Sequence, residues 1–341
     1  MKLIRTGKFL AILLFIAVAV GASAQTITTL NYPGALATTA FAINDSGTIL
    51  GIYGDQSKVA HFYVRSKAGK YTSFDIPSAI PAAPGMGINK SGVIAGYDAD
   101  SSNVHHGFVR TAKGVITIFD APGAGDQGTF VSEINNAGEI AGFYFDSAKK
   151  HHGYVRSKAG TFKTFEVSGA GHTGSAASSI NTAGTVAGIW RDPAEAWGGF
   201  VRAADGTITT FKEPGGSDTY AGSINTAGTI TGWYIDSTDG QRGFVRSADG
   251  GFTSFNAPGA GTTSEEGTVA FGINTAGVVM GPYTDSADIE HGYVRAADGT
   301  ITDFDPTGST QTEPWGINDA GDVVGYWTDT KTVVRGFLRT P

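Results

Sequence analysis

Ile273-Asn274-Thr275-Ala276-Gly277 is one of seven occurrences of a single phrase. Ile-Asn, two further residues and Gly begin again at Ile43, Ile88, Ile134, Ile180, Ile224 and Ile317. The steps between them are 45, 46, 46, 44, 49 and 44 residues. Self-similarity with a period in the forties marks a chain that stacks one small unit, each too small to bury its own apolar face. Four β-prone runs surround each phrase; in the sixth unit they are 268–273, 278–283, 291–295 and 300–304. Asn274 and Gly277 in the first turn, and Asp298-Gly299 in the third, tolerate the positive φ of tight hairpins. Four antiparallel strands per unit predict a propeller blade and an all-β chain.

The two ends complement each other. The seventh unit, from Ile317, stops at Pro341 before a fourth run appears, while residues 26–33 (Thr-Ile-Thr-Thr-Leu-Asn-Tyr-Pro) match the fourth run at 300–305. The expectation is a single domain over 25–341: a seven-bladed β-propeller whose last blade takes three strands from the C-terminus and one from the N-terminus. Closing the ring in this way hides strand edges that otherwise invite aggregation.

Length varies at one place in the unit. Eleven residues separate the Asn from a following Asp in every copy, six more reach a His, Arg or Gly, and nine separate the strand-3 Arg from the strand-4 Phe in the six complete copies. Between that Phe and the next Ile the step runs from 13 to 18. In a propeller these connections share a face with the strand 2–3 loops. Variable loops on a rigid scaffold mark that face as the binding face.

The chain opens with Lys2, Arg5 and Lys8, an apolar run over 9–20, and Ala22-Ser23-Ala24. A basic start, a short apolar core and a small-residue ending predict an export signal over 1–24, cut after Ala24. The run is shorter than the roughly 20 residues of a membrane span, and the mature chain contains no other candidate. Removing three basic residues takes the formal charge from −7 to −10, which excludes a nucleic-acid partner. With no cysteine, stability must come from a packed core. The expected address is secreted, periplasmic or cell-surface, as a monomer.

Two regular series are read as structural. Asp55, Asp100, Asp146, Asp192, Asp236, Asp285 and Asp329 each face, six residues on, His61, His106, His152, Gly198, Arg242, His291 or Arg335. Interchange of His with Arg suits a carboxylate needing a donor and does not suit a metal site. Gly198 leaves Asp192 without one. The aromatic residues of strands 2 to 4, such as Tyr53, Phe108, Phe165, Trp190 and Trp327, are read as packing between blades.

Departures from the repeat supply the site candidates. A small residue precedes every Ile-Asn except at Glu133, and a lone carboxylate near the axis needs water or a partner. Tyr220, Glu313 and Trp315 also break the inner-strand pattern. Asp126, His172, Asp218, Glu265 and Glu266 lie on the variable connections, His105, His151 and Trp197 on the 2–3 loops, and Arg191 beside Trp197. Together Glu133, Tyr220, Glu313, Trp315, His172, Asp126, Asp218 and Trp197 describe a polar, mildly acidic channel mouth with aromatic platforms. No metalloprotease, nucleophile-elbow, phosphate-loop or calcium-loop motif is present, and no cofactor or metal is expected.

The unit, with His-Gly-Phe at 106–108 and His-Gly-Tyr at 152–154 and 291–293, resembles the extracellular His-Ala-Phe repeat family of bacterial secreted proteins. It departs from that family in having Gly for Ala, and in losing the His of units four, five and seven. The resemblance covers nearly all of 25–341. It implies export and a repetitive β-fold, and carries no catalytic residue. The leading expectation is a non-catalytic propeller binding an extracellular glycan or protein. The alternatives are a polysaccharide lyase or hydrolase using Glu133 or His172 with Arg191 or Tyr220, and a structural matrix protein.

Overall fold

The structure is a computed structural model that describes residues 25–76, 86–263 and 266–341. The expected export signal, residues 1–24, and Glu265 lie outside the described residues. Among the described residues every regular element is a strand.

The strands form five four-stranded antiparallel sheets and one of nine strands. A representative sheet runs Thr129–Ile134, Ile140–Phe145, His151–Arg156 and Phe162–Phe165, each strand pairing with the next. The nine-stranded sheet is two such meanders, over 219–255 and 267–304, joined by the single parallel pair Gln241↔Gly267. The same position makes isolated bridges elsewhere, His105↔Gly128 and His151↔Gly174. These bridges place three of the connections into inner strands beside the preceding unit's strand 2–3 loop. Thr26–Leu30 pairs antiparallel with Val334–Thr340, from Thr26↔Thr340 to Leu30↔Gly336, so the chain's two ends share one sheet.

Five inner strands carry a register shift at the same place: between Ala40 and Ala42, Val131 and Glu133, Ala177 and Ser179, Ala221 and Ser223, and Pro314 and Gly316. A bulge turns two successive residues to one side, where an ordinary strand would alternate them. Ser132 and Glu133 consequently both line the central channel.

The core lies between sheets. One cluster joins Ala95 and Phe119 of the second unit to Val131, Ile140 and Tyr154 of the third. Six strand-3 arginines bridge the same gaps, each guanidinium lying over the strand-4 phenylalanine of the preceding unit, from 4.4 Å (Arg110 over Phe74) to 5.4 Å (Arg339 over Phe304). Where Leu30 replaces that ring, Arg65 turns to Tyr71 of its own unit at 5.7 Å. Desolvated cation–π contacts of this kind are worth about 1–2 kcal/mol.

A second belt is built from the asparagines. Asn44 Nδ2 donates to the Asn89 carbonyl (3.0 Å), Asn89 to Asn135 (3.3 Å), Asn135 to Asn181 (2.9 Å) and Asn181 to Asn225 (3.1 Å). Asn225 donates to Asn274 (3.1 Å), Asn274 to Asn318 (3.1 Å), and Asn318 back to Asn44 (3.3 Å). The circuit closes.

The ionic series gains partners that the repeat did not announce. His61 Nδ1 meets Asp75 at 2.8 Å while Nε2 faces Asp55 at 3.4 Å. His106, His152 and His291 are likewise held between two carboxylates: Asp100 and Asp120, Asp146 and Glu166, Asp285 and Asp305. Asp192 is not left without a donor, correcting the expectation at Gly198: Lys212 Nζ reaches it at 2.9 Å. Where the donor is Arg242 or Arg335, the second acid is replaced by Asn256 or Asn31.

Asp75 and Asp55 raise the His61 pKa. At His106 and His291 burial alone would lower it, but the flanking carboxylates prevail. A folded pKa above the unfolded value of about 6.5 means stability that is present below that pH and lost as pH rises through the folded pKa. Melting temperature is therefore expected to fall as pH rises above about 6.5. The triple variant His61→Arg, His106→Arg, His291→Arg should flatten the decline. An unchanged slope in the variant would rule the imidazoles out as its source.

Candidate functional site

The channel bounded by the inner strands has three contiguous parts. At one mouth the asparagine belt and the Ile-Asn turns frame a cavity of about 160 Å³. The middle, about 230 Å³, is lined by Glu133, Ser132, Ser178, Ser179, Ser223 and small residues. The other mouth, toward the strand 2–3 loops, widens into a recess of about 460 Å³ walled by Phe41, Tyr97, Phe143, Tyr220, Trp233, Phe271 and Trp315.

Ring contacts organise the recess into two arcs. Trp197 meets Tyr220 (centroids 5.9 Å), Tyr220 stacks on Trp233 (5.1 Å, 12°), and Trp233 meets Phe271 (6.0 Å). The arc continues from Phe271 to Trp315 (5.3 Å), Trp315 to Phe41 (5.6 Å) and Phe41 to Tyr326 (6.4 Å). Opposite it, Phe130 stacks on Phe143 (4.9 Å, 2°) and meets Tyr97 (5.0 Å) and His105 (4.4 Å), while His151 packs on Phe145 (4.2 Å). Rings held by neighbouring rings present their free faces with little conformational entropy left to lose on binding.

Of the residues expected at the site, Tyr220 and Trp315 wall the recess, and Trp197 joins its arc. Asp218 fixes that corner: its Oδ1 accepts the Trp197 amide at 2.7 Å. Arg191 lies over the Trp197 ring at 5.2 Å, its Nε donating to the Glu195 carbonyl at 2.7 Å and its Nη1 lying 3.3 Å from the Glu195 carboxylate. Burial, and then Asp218, push the Tyr220 hydroxyl above its ordinary pKa, with Arg191 opposing. Glu313 lies in register with Tyr326 on the last unit's inner hairpin and is not among the residues that wall the recess.

Glu133 belongs to the middle of the channel. Ser179 Oγ and the Ile180 amide (3.0 Å) donate to its carboxyl, and burial raises its pKa against those two bonds. His172 and Asp126 are exposed on the connections. The structure thus joins Arg191, Trp197, Asp218 and Tyr220 in one contact group that includes neither Glu133 nor His172. The aromatic residues offered as packing do pack: Phe108 and Trp327 are buried, and Phe165 and Trp190 border one cluster.

Sequence reasoning missed Phe41, Tyr97, Phe143, Trp233 and Phe271. The usable signal was the residue two before each Ile-Asn, which reads Phe41, Met86, Ser132, Ser178, Gly222, Phe271 and Trp315. The bulge turns that residue to the axis together with its neighbour.

No family model and no curated protein matches the chain. Solved structures do. Virginiamycin B lyase from Staphylococcus aureus superposes with a TM-score of 0.64 at 15% identity, covering 93% of this chain and 99% of that one. The β-propeller domain of the Trilobed protease from Pyrococcus furiosus gives 0.59 at 13%, covering 88% and 95%. A lectin from Burkholderia pseudomallei gives 0.53 at 8%, covering 89% and 96%. Identities this low speak of fold alone: the chain is an all-β protein with the β-propeller fold.

Proposed function

We propose that the chain is an exported seven-bladed propeller that binds an extracellular ligand, a glycan before a protein, in the aromatic recess. One observation carries this reading: two arcs of rings in mutual contact, drawn from separate repeat units, face a single concave space on the side with the variable connections. Concave, largely apolar sites with a few polar groups are where ligands bind. The C–H faces of sugar rings match exposed aromatic faces, and the rim carboxylates can accept their hydroxyls. Seven blades are supported by the asparagine circuit, which passes through seven first-hairpin turns before closing. Export fits the N-terminal pattern and the likeness to the extracellular His-Ala-Phe repeat group. Glu133 below the recess and His172 on an exposed connection favour binding over an acid–base reaction built on those two.

The test is a glycan array on residues 25–341, followed by calorimetry on the best binder. Trp315→Ala and Tyr220→Ala should each lower affinity at least about tenfold, or ~1.4 kcal/mol. Phe108→Leu, in the packing, should leave affinity unchanged. Binding indifferent to both recess substitutions would remove the recess from the account.

A further inference from the structure

Below the recess floor the channel holds a carboxyl group with one oxygen unused. Glu133 Oε2 accepts both hydrogen bonds that the chain gives this side chain, from Ser179 Oγ and from the Ile180 amide at 3.0 Å. Oε1 accepts neither, yet it is not sealed into the wall: it opens on the channel, where Glu133 lines the middle cavity of about 230 Å³. Among the residues lining that cavity, Glu133 is the one that can carry a charge. Lys90 stands at the asparagine mouth with Asp45 and Asp319, and no charged side chain acts on Glu133: burial raises its pKa, and the Ser179 and Ile180 bonds oppose that. A carboxylate so placed is costly until a positive charge meets it.

The walls between this cavity and the recess add hydroxyl acceptors. Ser132, Ser178, Phe41 and Trp315 line both spaces. Ser132 Oγ already donates its proton to the Ala177 carbonyl at 2.7 Å, so toward the channel it can only accept. Glu133 follows Ser132 in the strand, and the bulge turns both to the axis. One residue's rise, ~3.4 Å, therefore separates the recess floor from the carboxyl-bearing position. A protonated amine has three N–H donors and no acceptor, which suits a carboxylate oxygen beside hydroxyl oxygens. The formal charge, −7 over the whole chain, becomes −10 over residues 25–341 once Lys2, Arg5 and Lys8 are set aside, a field that draws cations.

We propose that the recess selects glycans built from unacetylated amino sugars, a sugar ring lying against Trp315 and Phe41 while its ammonium group enters the channel to meet Glu133 and Ser132. The inference rests on the recess being the binding site and adds which sugar it takes.

The test compares three β-1,4-linked tetrasaccharides by calorimetry on residues 25–341: those of glucosamine, glucose and N-acetylglucosamine, which differ at one substituent of the ring. The glucosamine tetramer should bind at least about tenfold more tightly than either neutral one. Glu133→Gln keeps an oxygen to accept from Ser179 and Ile180, and so should fold; it should erase the preference. Equal binding of the glucosamine and glucose tetramers to the parent protein, or no binding of the glucosamine tetramer, overturns the proposal. A preference that survives Glu133→Gln overturns it as well. If Trp315→Ala weakens all three tetramers while Glu133→Gln changes nothing, the recess stands and the amine inference falls. If Trp315→Ala changes none of them, the recess itself is refuted.

Discussion

Gly142→Ala is expected to destabilise the protein by about 3–4 kcal/mol. A β-carbon at this position would lie 2.1 Å from the Phe130 carbonyl oxygen and 2.6 Å from the Tyr154 hydroxyl. Tyr154, fully buried, donates that hydroxyl to the same carbonyl at 2.9 Å. One methyl group therefore meets the inner strand's backbone and the ring that pins it, and neither is the free end of a flexible chain. The substitution must push two strands apart or break the hydrogen bond, and the buried carbonyl then loses a partner. Gly54→Ala is the control. Nothing lies within 4 Å of its added carbon, so a change within about 0.5 kcal/mol is expected. Denaturant unfolding of the two variants decides the matter, and similar midpoints would refute the steric account.

The second large effect falls on the asparagine belt. Asn181 Nδ2 donates to the Asn225 carbonyl of the next unit, while its Oδ1 accepts the Ala183 and Thr185 amides of its own turn, both at 3.0 Å. Asn181→Ala removes the bond between units, leaving the Asn225 carbonyl only the Gly228 amide, and strips two part-buried turn amides of their acceptor, at a cost of about 2–4 kcal/mol. For a chain of this length that is a fall of roughly 5 °C in melting temperature. Asn181→Asp separates the two roles. It keeps the acceptor for the turn but sets a carboxylate against a carbonyl oxygen, so it should also destabilise. If Asn181→Asp melts with the parent protein, the bond between units contributes nothing and the asparagine serves its turn alone.

This second case shows where the sequence is readable and where it stops. The fourfold strand pattern, the pairing of residues 26–30 with the C-terminal strand and the face of the variable connections were all legible, because hairpin chemistry and constant spacings are local. The Ile-Asn-x-x-Gly phrase was legible as a turn but not as a belt, since the side chain's third bond crosses to a residue 44 positions away. Glu133 stood out by composition and does line the channel, yet its bonds to Ser179 and Ile180 belong to the neighbouring strand. The recess was half visible. Tyr220 and Trp315 broke the pattern, whereas Phe41 and Phe271 hid among residues that strict alternation assigns to the opposite side. A bulge changes that assignment and leaves no residue-type signature of its own.

The tryptophans offer the most direct measurement of the central claim, that ligand sits in the aromatic recess. Trp233 and Trp315 wall it, Trp197 closes one arc, and Trp190 and Trp327 lie within the packing. With the five indole N–H resonances assigned, titration with the best glycan from the array should move Trp233 and Trp315 most, Trp197 next, and Trp190 and Trp327 least. Saturable binding that shifts only Trp190 or Trp327, or none of the five, would contradict the account.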